Sequence, residues 1–156
     1  RLSGEDRVAV CMPKLLSGRK RLDKPADILR FPLLHMDSRA DWTNWLQAAG
    51  IDETAAVHGP VLNRASMIID AAINGQGIAL ARTTLAAWDV INGRLVRPFA
   101  ESLRLAKTYW IVSPKATAAL PKIATFREWL LAEASSDLRQ LKKLGWASKP
   151  LRPRGD

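Results

Sequence analysis

A chain of 156 residues that is 47% hydrophobic and 25% charged has the length and balance of one globular domain with a core of its own. It contains no apolar run near the ~20 residues of a membrane span and no signal-peptide layout at its start. Its single cysteine, Cys11, excludes an internal disulfide framework and fits a reducing cytoplasm, and with only His35 and His58 beside it no metal-ligand spacing exists.

The net charge of +9 is unevenly placed. Residues 1–30 carry eight basic and four acidic groups, residues 31–134 ten and nine, and residues 135–156 six and two. The body is therefore nearly neutral and both ends are basic. No recognition-helix pattern accompanies the terminal excess, which reads as solvated surface or as an aid to sequence-independent nucleic-acid affinity. Arg1 is not an initiator methionine, so the chain is expected to be part of something longer.

In chain order, residues 7–12 (RVAVCM) predict a buried strand stopped by Pro13, followed by one helical turn at Leu15-Leu16 and a polar loop over residues 18–24. Pro25 sits at the first position of a short helix, PADILR, which Pro32 forbids from continuing, and residues 33–36 predict the next strand. Residues 37–41 form a capping region. Beyond them Trp42, Trp45, Leu46 and Ala49 share one face of a helix closed by Gly50. Two tryptophans three apart can stack on a ring-bearing ligand, but their spacing favours anchoring in the core. Pro60 limits Val61-Leu62 to a strand end or a sheet edge.

The central stretch, residues 59–80 (GPVLNRASMIIDAAINGQGIAL), predicts a helix capped by Asn63, with Met67, Ile68, Ala71 and Ala72 as its apolar stripe. Gly75 suits the left-handed end of that helix, Gly77 a second tight backbone position, and residues 78–81 a short buried strand. Thr84 is expected to cap a helix through Leu85, Trp88 and Val90, ended by Gly93, with Leu95-Val96 opening a strand that Pro98 stops. Residues 106–113 predict another strand built on Tyr109, Trp110, Ile111 and Val112. Pro121 opens a helix through residue 134 in which Ile123, Phe126, Trp129 and Leu130 share a face. A second helix, residues 137–144, is expected after Ser135-Ser136, and from Ala147 onward a tail. Strands alternating with helices and short glycine turns predict an α/β fold with a mixed sheet and helices on its faces, where ligands gather at the carboxyl ends of strands.

Chemistry of other kinds is missing from the sequence. It has no GxSxG elbow, P-loop, GxGxxG after a strand, HExxH or paired-cysteine motif, and no spacing among Ser66, Ser113, His35 and His58 asks for a nucleophile and base. No catalytic residue and no cofactor is assigned. What the central helix does offer is its start, where free N–H groups lie beside Asn63 and Ser66.

The ordered set LLHMDSRADWTNWLQAAG, HGP, the small-residue helix with GQGIAL, NGRLVRPF, TYWIVSP and FREWLLAEA closely resembles the C-terminal part of LysR-type transcriptional regulators, from about Arg7 to Ala134. The resemblance is to the subgroup of glycine-cleavage activators and β-lactamase regulators. It implies a periplasmic-binding-protein-like effector domain of two α/β lobes, with a small-molecule effector in the cleft between them. Residues 1–107 then correspond to the second lobe, residues 108–134 to the returning strand and helix of the first lobe, and residues 135–156 to a basic helix and tail. Asn63, Arg64, Ala65, Ser66 and Tyr109 fall at effector-binding positions. Arg64 is open to two readings, a carboxylate partner or a solvated helix residue. The resemblance also implies a cytoplasmic DNA-binding transcription factor that forms homo-oligomers and reaches its operator through a winged helix-turn-helix absent from this chain. A solute-binding protein of the transport type shares the fold and is the alternative. The apolar face of residues 121–134 is expected to fold back on the second lobe or to pack against another chain or segment.

Overall fold

A computed structural model describes residues 2–17, 21–52, 58–146 and 149–150. Six strands form one mixed sheet: β1 (Ser3–Val10), β2 (Leu33–Met36), β3 (Val61–Leu62), β4 (Ile78–Arg82), β5 (Glu101–Tyr109) and β6 (Lys149–Pro150), in the spatial order β3-β2-β4-β1-β5-β6. β2, β3 and β4 run parallel, while β1 is antiparallel to β4 on one side and to β5 on the other. The carboxyl ends of β2, β3, β4 and β5 therefore share one end of the sheet. Four helices join the strands: α1 (Ala40–Ala48), α2 (Ala65–Ile73), α3 (Thr83–Ile91) and α4 (Pro121–Lys143). Two short 3-10 turns, Pro13–Leu16 and Pro25–Arg30, fall where their prolines predict them.

Strand alternation divides the core into two layers. Val8, Val10, Leu34, Ala79 and Ala81 point to one face, where α2 and α3 cover them with Ile68, Ile69, Ala71, Ala72, Ala86, Ala87 and Val90. The alanines let both helices lie close to the sheet, as the small-residue stripe predicts. Ala9, Cys11, Leu33, Ile78 and Leu80 point to the other face, under Trp42, Trp45 and Leu46 of α1 with Ile28 and Phe99. Helices thus cover both faces, and the two tryptophans belong to the core. Asp27 holds the turn before β2: its carboxylate accepts from the N–H groups of Asp23 and Lys24, each at 3.0 Å, and pairs with Arg30. The Lys24 N–H, ahead of the other causes, lowers its pKa.

Several local expectations change in three dimensions. Met67 is 45% exposed, and Ile69 takes its place in the stripe. Strand β5 begins at Glu101 and ends at Tyr109, earlier than the bulky run suggests, because its partner is β1, whose Val8 opposes Ser102 and whose Ser3 opposes Tyr109. Trp110 and Val112 lie beyond the pairing and are exposed. Leu95-Val96 makes a single bridge, Val96 with Cys11, in place of a strand. Helix α4 continues through Ser135-Ser136 as one helix, with the Ser135 hydroxyl donating to the Leu131 carbonyl at 2.8 Å inside the helix. Its later turns pack against α3, with Leu141 joining the core there, while Phe126 and Trp129, rings 5.5 Å apart, stay exposed. In the expected tail Lys149–Pro150 forms β6 beside β5; residues 18–20 of the polar loop and 147–148 and 151–156 of the tail lie outside the described residues.

His35 on β2 is 1% exposed, and neither ring nitrogen has a hydrogen-bond partner among the described residues. Burial, with the nearby Arg39 charge, lowers its pKa from the ordinary 6.5. Unfolded chains take up this proton near pH 6.5 while the folded one resists it, so the stability it contributes is complete above that pH and is lost as the pH falls below it. Urea midpoints measured from pH 7 to pH 5 are expected to fall for the native chain and to fall less for His35→Leu. Equal slopes would show that His35 does not couple to folding.

Candidate functional site

The carboxyl ends of the parallel strands deliver three helix starts to one end of the sheet. α3 follows β4 directly, α2 follows β3 after Asn63 and Arg64, and α1 follows β2 after three residues. Arg64, extended at φ −136° and ψ 135°, occupies the cap position of α2, and its side chain does not cap the helix. Asn63 therefore stands one residue outside the cap it was expected to make. Among the described residues the first N–H groups of α2 have no side-chain acceptor, and Asn63, Arg64 and Ser66 are exposed around them with Ala65 half-buried. Asn63 lines a shallow depression with Asp37, Val61, Leu62 and Met67.

Thr84 does not cap α3 by itself either. The Glu5 carboxylate, 4% exposed, reaches across from β1 and accepts from the Thr84 N–H at 3.1 Å and from its hydroxyl at 2.6 Å. A charged acceptor at a helix start is favoured by the helix dipole as well as by the hydrogen bonds. The start of α3 thus has a carboxylate on one of its first N–H groups, whereas the start of α2 has no such acceptor among the described residues.

Tyr109 lies elsewhere. Ser3 opposes it, whereas the pairing of β1 with β4 stops at Arg7 opposite Arg82. Four residues of strand separate those positions, so Tyr109 sits roughly 13 Å beyond the end of β4, on a two-stranded ribbon of β1 and β5. It is 38% exposed, and it does not line the cavities that hold Ala65 and Asn63. Asn63, Arg64, Ala65 and Ser66 are contiguous at the start of α2, and Tyr109 stands on a separate element, at the end of β5.

Three charged residues that carried no signal in the sequence stand beside Ala65. Arg7 of β1 pairs with Asp41 of α1 at 2.5 Å, and Arg82 ends β4 directly opposite Arg7. All three line a cavity with Met36, Ala65 and Leu85. The register of β1 against β4 joins the two arginines and α1 brings Asp41 to Arg7, which is why spacing along the chain does not reveal the group. Cys11 offers no reactive thiol here, since burial pushes its pKa up to about 12. Among the described residues no group of three or more His, Cys, Asp and Glu side chains is placed to hold a metal ion.

Comparison with known proteins accords with this architecture. The LysR substrate binding domain model matches residues 1–135. The glycine cleavage system transcriptional activator of Escherichia coli K12 is 37% identical over 142 residues, which is 91% of this chain and 47% of that protein. The HTH-type transcriptional activator AmpR of Enterobacter cloacae is 34% identical over 123 residues, 78% of this chain and 41% of the other. Among solved structures, the AmpR effector binding domain of Citrobacter freundii superposes with a TM-score of 0.64 at 29% identity, covering 86% of this chain and 66% of that one. The effector domain of AmpR of Pseudomonas aeruginosa gives a TM-score of 0.58 at 26% identity, with 88% and 64% covered. The chain spans less than half the length of these two curated relatives. The match over residues 1–135, together with the shared effector-domain fold, places the chain in the LysR substrate-binding domain family.

Proposed function

We propose that this chain is the effector-sensing and oligomerising part of a cytoplasmic LysR-type transcription factor, which changes transcription when a small molecule binds beside the start of α2. The observation that carries the reading is the uncapped start of α2 at the carboxyl ends of the strands, in a chain whose family model and named relatives are those of transcriptional activators. Asn63, Ser66 and the first α2 amides supply donors, Arg64 a charge, Ala65 a close approach, and Tyr109 a flat ring with a hydroxyl. Operator DNA is contacted by a winged helix-turn-helix outside this chain. The relatives support this reading over a transport-type solute-binding protein, and the reading gives no reaction to catalyse.

Residues 1–107 form the second lobe in this reading, residues 108–134 return to the first, and residues 135–156 form a basic extension. About a third of the Citrobacter freundii effector domain has no counterpart here. The exposed Phe126 and Trp129 face of α4 suits that part of the protein. A further support comes from another solved Citrobacter freundii effector domain, which carries substitutions of a threonine, a serine and a tyrosine. Its serine and tyrosine lie 43 positions apart, the separation of Ser66 and Tyr109. Tyr109 in this arrangement meets the effector from the ribbon that leads toward the first lobe.

The test uses the whole regulator. Ser66→Ala and Tyr109→Phe each remove one hydroxyl, and each is expected to raise the effector concentration for half response by about three- to tenfold. Operator affinity should not change. Wild-type response in both variants, read by a transcription reporter, would mean that the effector binds elsewhere.

A further inference from the structure

Arg7 and Arg82 are directly opposed across antiparallel strands, so their side chains leave the sheet on the same side. Like charges in that relation repel. Asp41 is the acidic residue that lines the cavity with them, and it pairs with Arg7. Arg82 is half-buried and has no ion pair among the described residues. Its half-buried charge thus stands across the strands from Arg7 with no ion pair to offset it among the described residues. The two arginines and Asp41 line a cavity of about 20 Å³ with Ala65, Met36 and Leu85, floored by Ile68, Ile69, Leu80 and Ala81. A space of that size accepts one water-sized polar group and no whole ligand.

We infer that this cavity is a carboxylate subsite, in which Arg82 pairs with an acidic group of the effector while the Arg7–Asp41 pair fixes the opposite wall. The inference rests on the effector site proposed at α2 and names the chemical class of what enters it. A carboxylate oxygen fits the cavity, and its charge relieves the repulsion between the arginines. The apolar floor prevents water from fully screening the pair. The forked Arg82 guanidinium can donate to the oxygen that enters the cavity and to the second oxygen left at its mouth. Arg64, exposed at the cap of α2, has no such enclosure and is not the anchor. An effector with a free acid group is thereby selected over its amide or ester.

The experiment titrates the 156-residue chain with sodium acetate, with acetamide, and with sodium chloride at matched ionic strength, following the Arg82 side-chain N–H and the Ala65 amide by NMR. Acetate is expected to shift both signals saturably, and the other two are not. Arg82→Gln should weaken acetate by at least about tenfold, and Arg82→Lys, which keeps the charge without the fork, should recover part of the loss. Because Arg82 opposes Arg7, the thermal midpoint of Arg82→Gln should equal or exceed that of the native chain, which separates lost binding from lost folding. Identical acetate titrations of the native chain and Arg82→Gln would overturn the inference, as would a lower midpoint for that variant. If Ser66→Ala and Tyr109→Phe lose effector response while acetate ignores Arg82, the effector site stands and the carboxylate subsite falls. If acetate needs Arg82 but those two variants respond normally, the subsite stands as an anion site and its assignment to the effector falls.

Discussion

Replacing Trp42 by alanine is expected to destabilise the folded chain by about 3–5 kcal/mol. Trp42 is 1% exposed, and its ring meets that of Trp45 edge to face, centroids 5.6 Å apart at 77°. Its indole N–H donates to the Leu34 carbonyl at 3.0 Å, so the same side chain fills the layer under β2 and ties α1 to that strand. Truncation leaves a void among Leu33, Ile78 and Leu80, and the buried Leu34 oxygen loses its side-chain donor. A domain of this size holds roughly 5–15 kcal/mol in total, so the loss is a large share of it. Equilibrium urea unfolding measures the effect directly. Trp42→Phe, which keeps a ring and loses the donor, should fall between the two. A loss under about 1 kcal/mol for the alanine variant would mean that the layer recloses without the indole.

Gly59→Ala is expected to cost a comparable amount, about 2–6 kcal/mol, through the backbone alone. Gly59 has φ +131°, and a Cβ there would stand 1.9 Å from the Leu33 carbonyl oxygen. Neither partner can swing away, because both are main chain. The turn is held to β2 on each side: the Leu33 N–H donates to His58 O at 3.2 Å, and the His35 N–H to Pro60 O at 3.0 Å. Relieving the clash means moving this turn off β2, and with it β3 and the start of α2. Faster amide hydrogen exchange at His35 and Asp37, whose N–H groups bond to Pro60 and Leu62, should accompany the lost stability. Native exchange at both amides would show that the turn absorbs the methyl in place.

The candidate site was legible in part. Residues 63–66 stand out because a helix start between a strand and a small-residue stripe is a local pattern, and local patterns survive folding. The cap itself did not follow the pattern. Asn63 is a good capping residue by type, yet the chain enters α2 one residue later through Arg64, with β3 bound to β2 just ahead of it. Thr84 likewise yields its role to Glu5, which arrives from β1. A preference worth about 1 kcal/mol is readily overridden by the geometry of a sheet.

The sequence by itself determined the alternation of strands and helices, the closing turn at Gly75, the tryptophan face of α1 and the membership of the family. Each depends on residues within a turn or two of one another, or on an ordered series of such segments. Only the tertiary structure decided where β5 begins, that α4 runs unbroken through two serines, and that its first half stays uncovered. Those outcomes depend on which strand accepts the backbone hydrogen bonds and which surface receives Leu141. The same holds for Arg7, Asp41 and Arg82, which are far apart along the chain and meet because β1 pairs with β4 in one register and α1 brings Asp41 to Arg7. A slip of one residue would turn every side chain of β4 to the opposite face, so this cluster exists only once the sheet has formed.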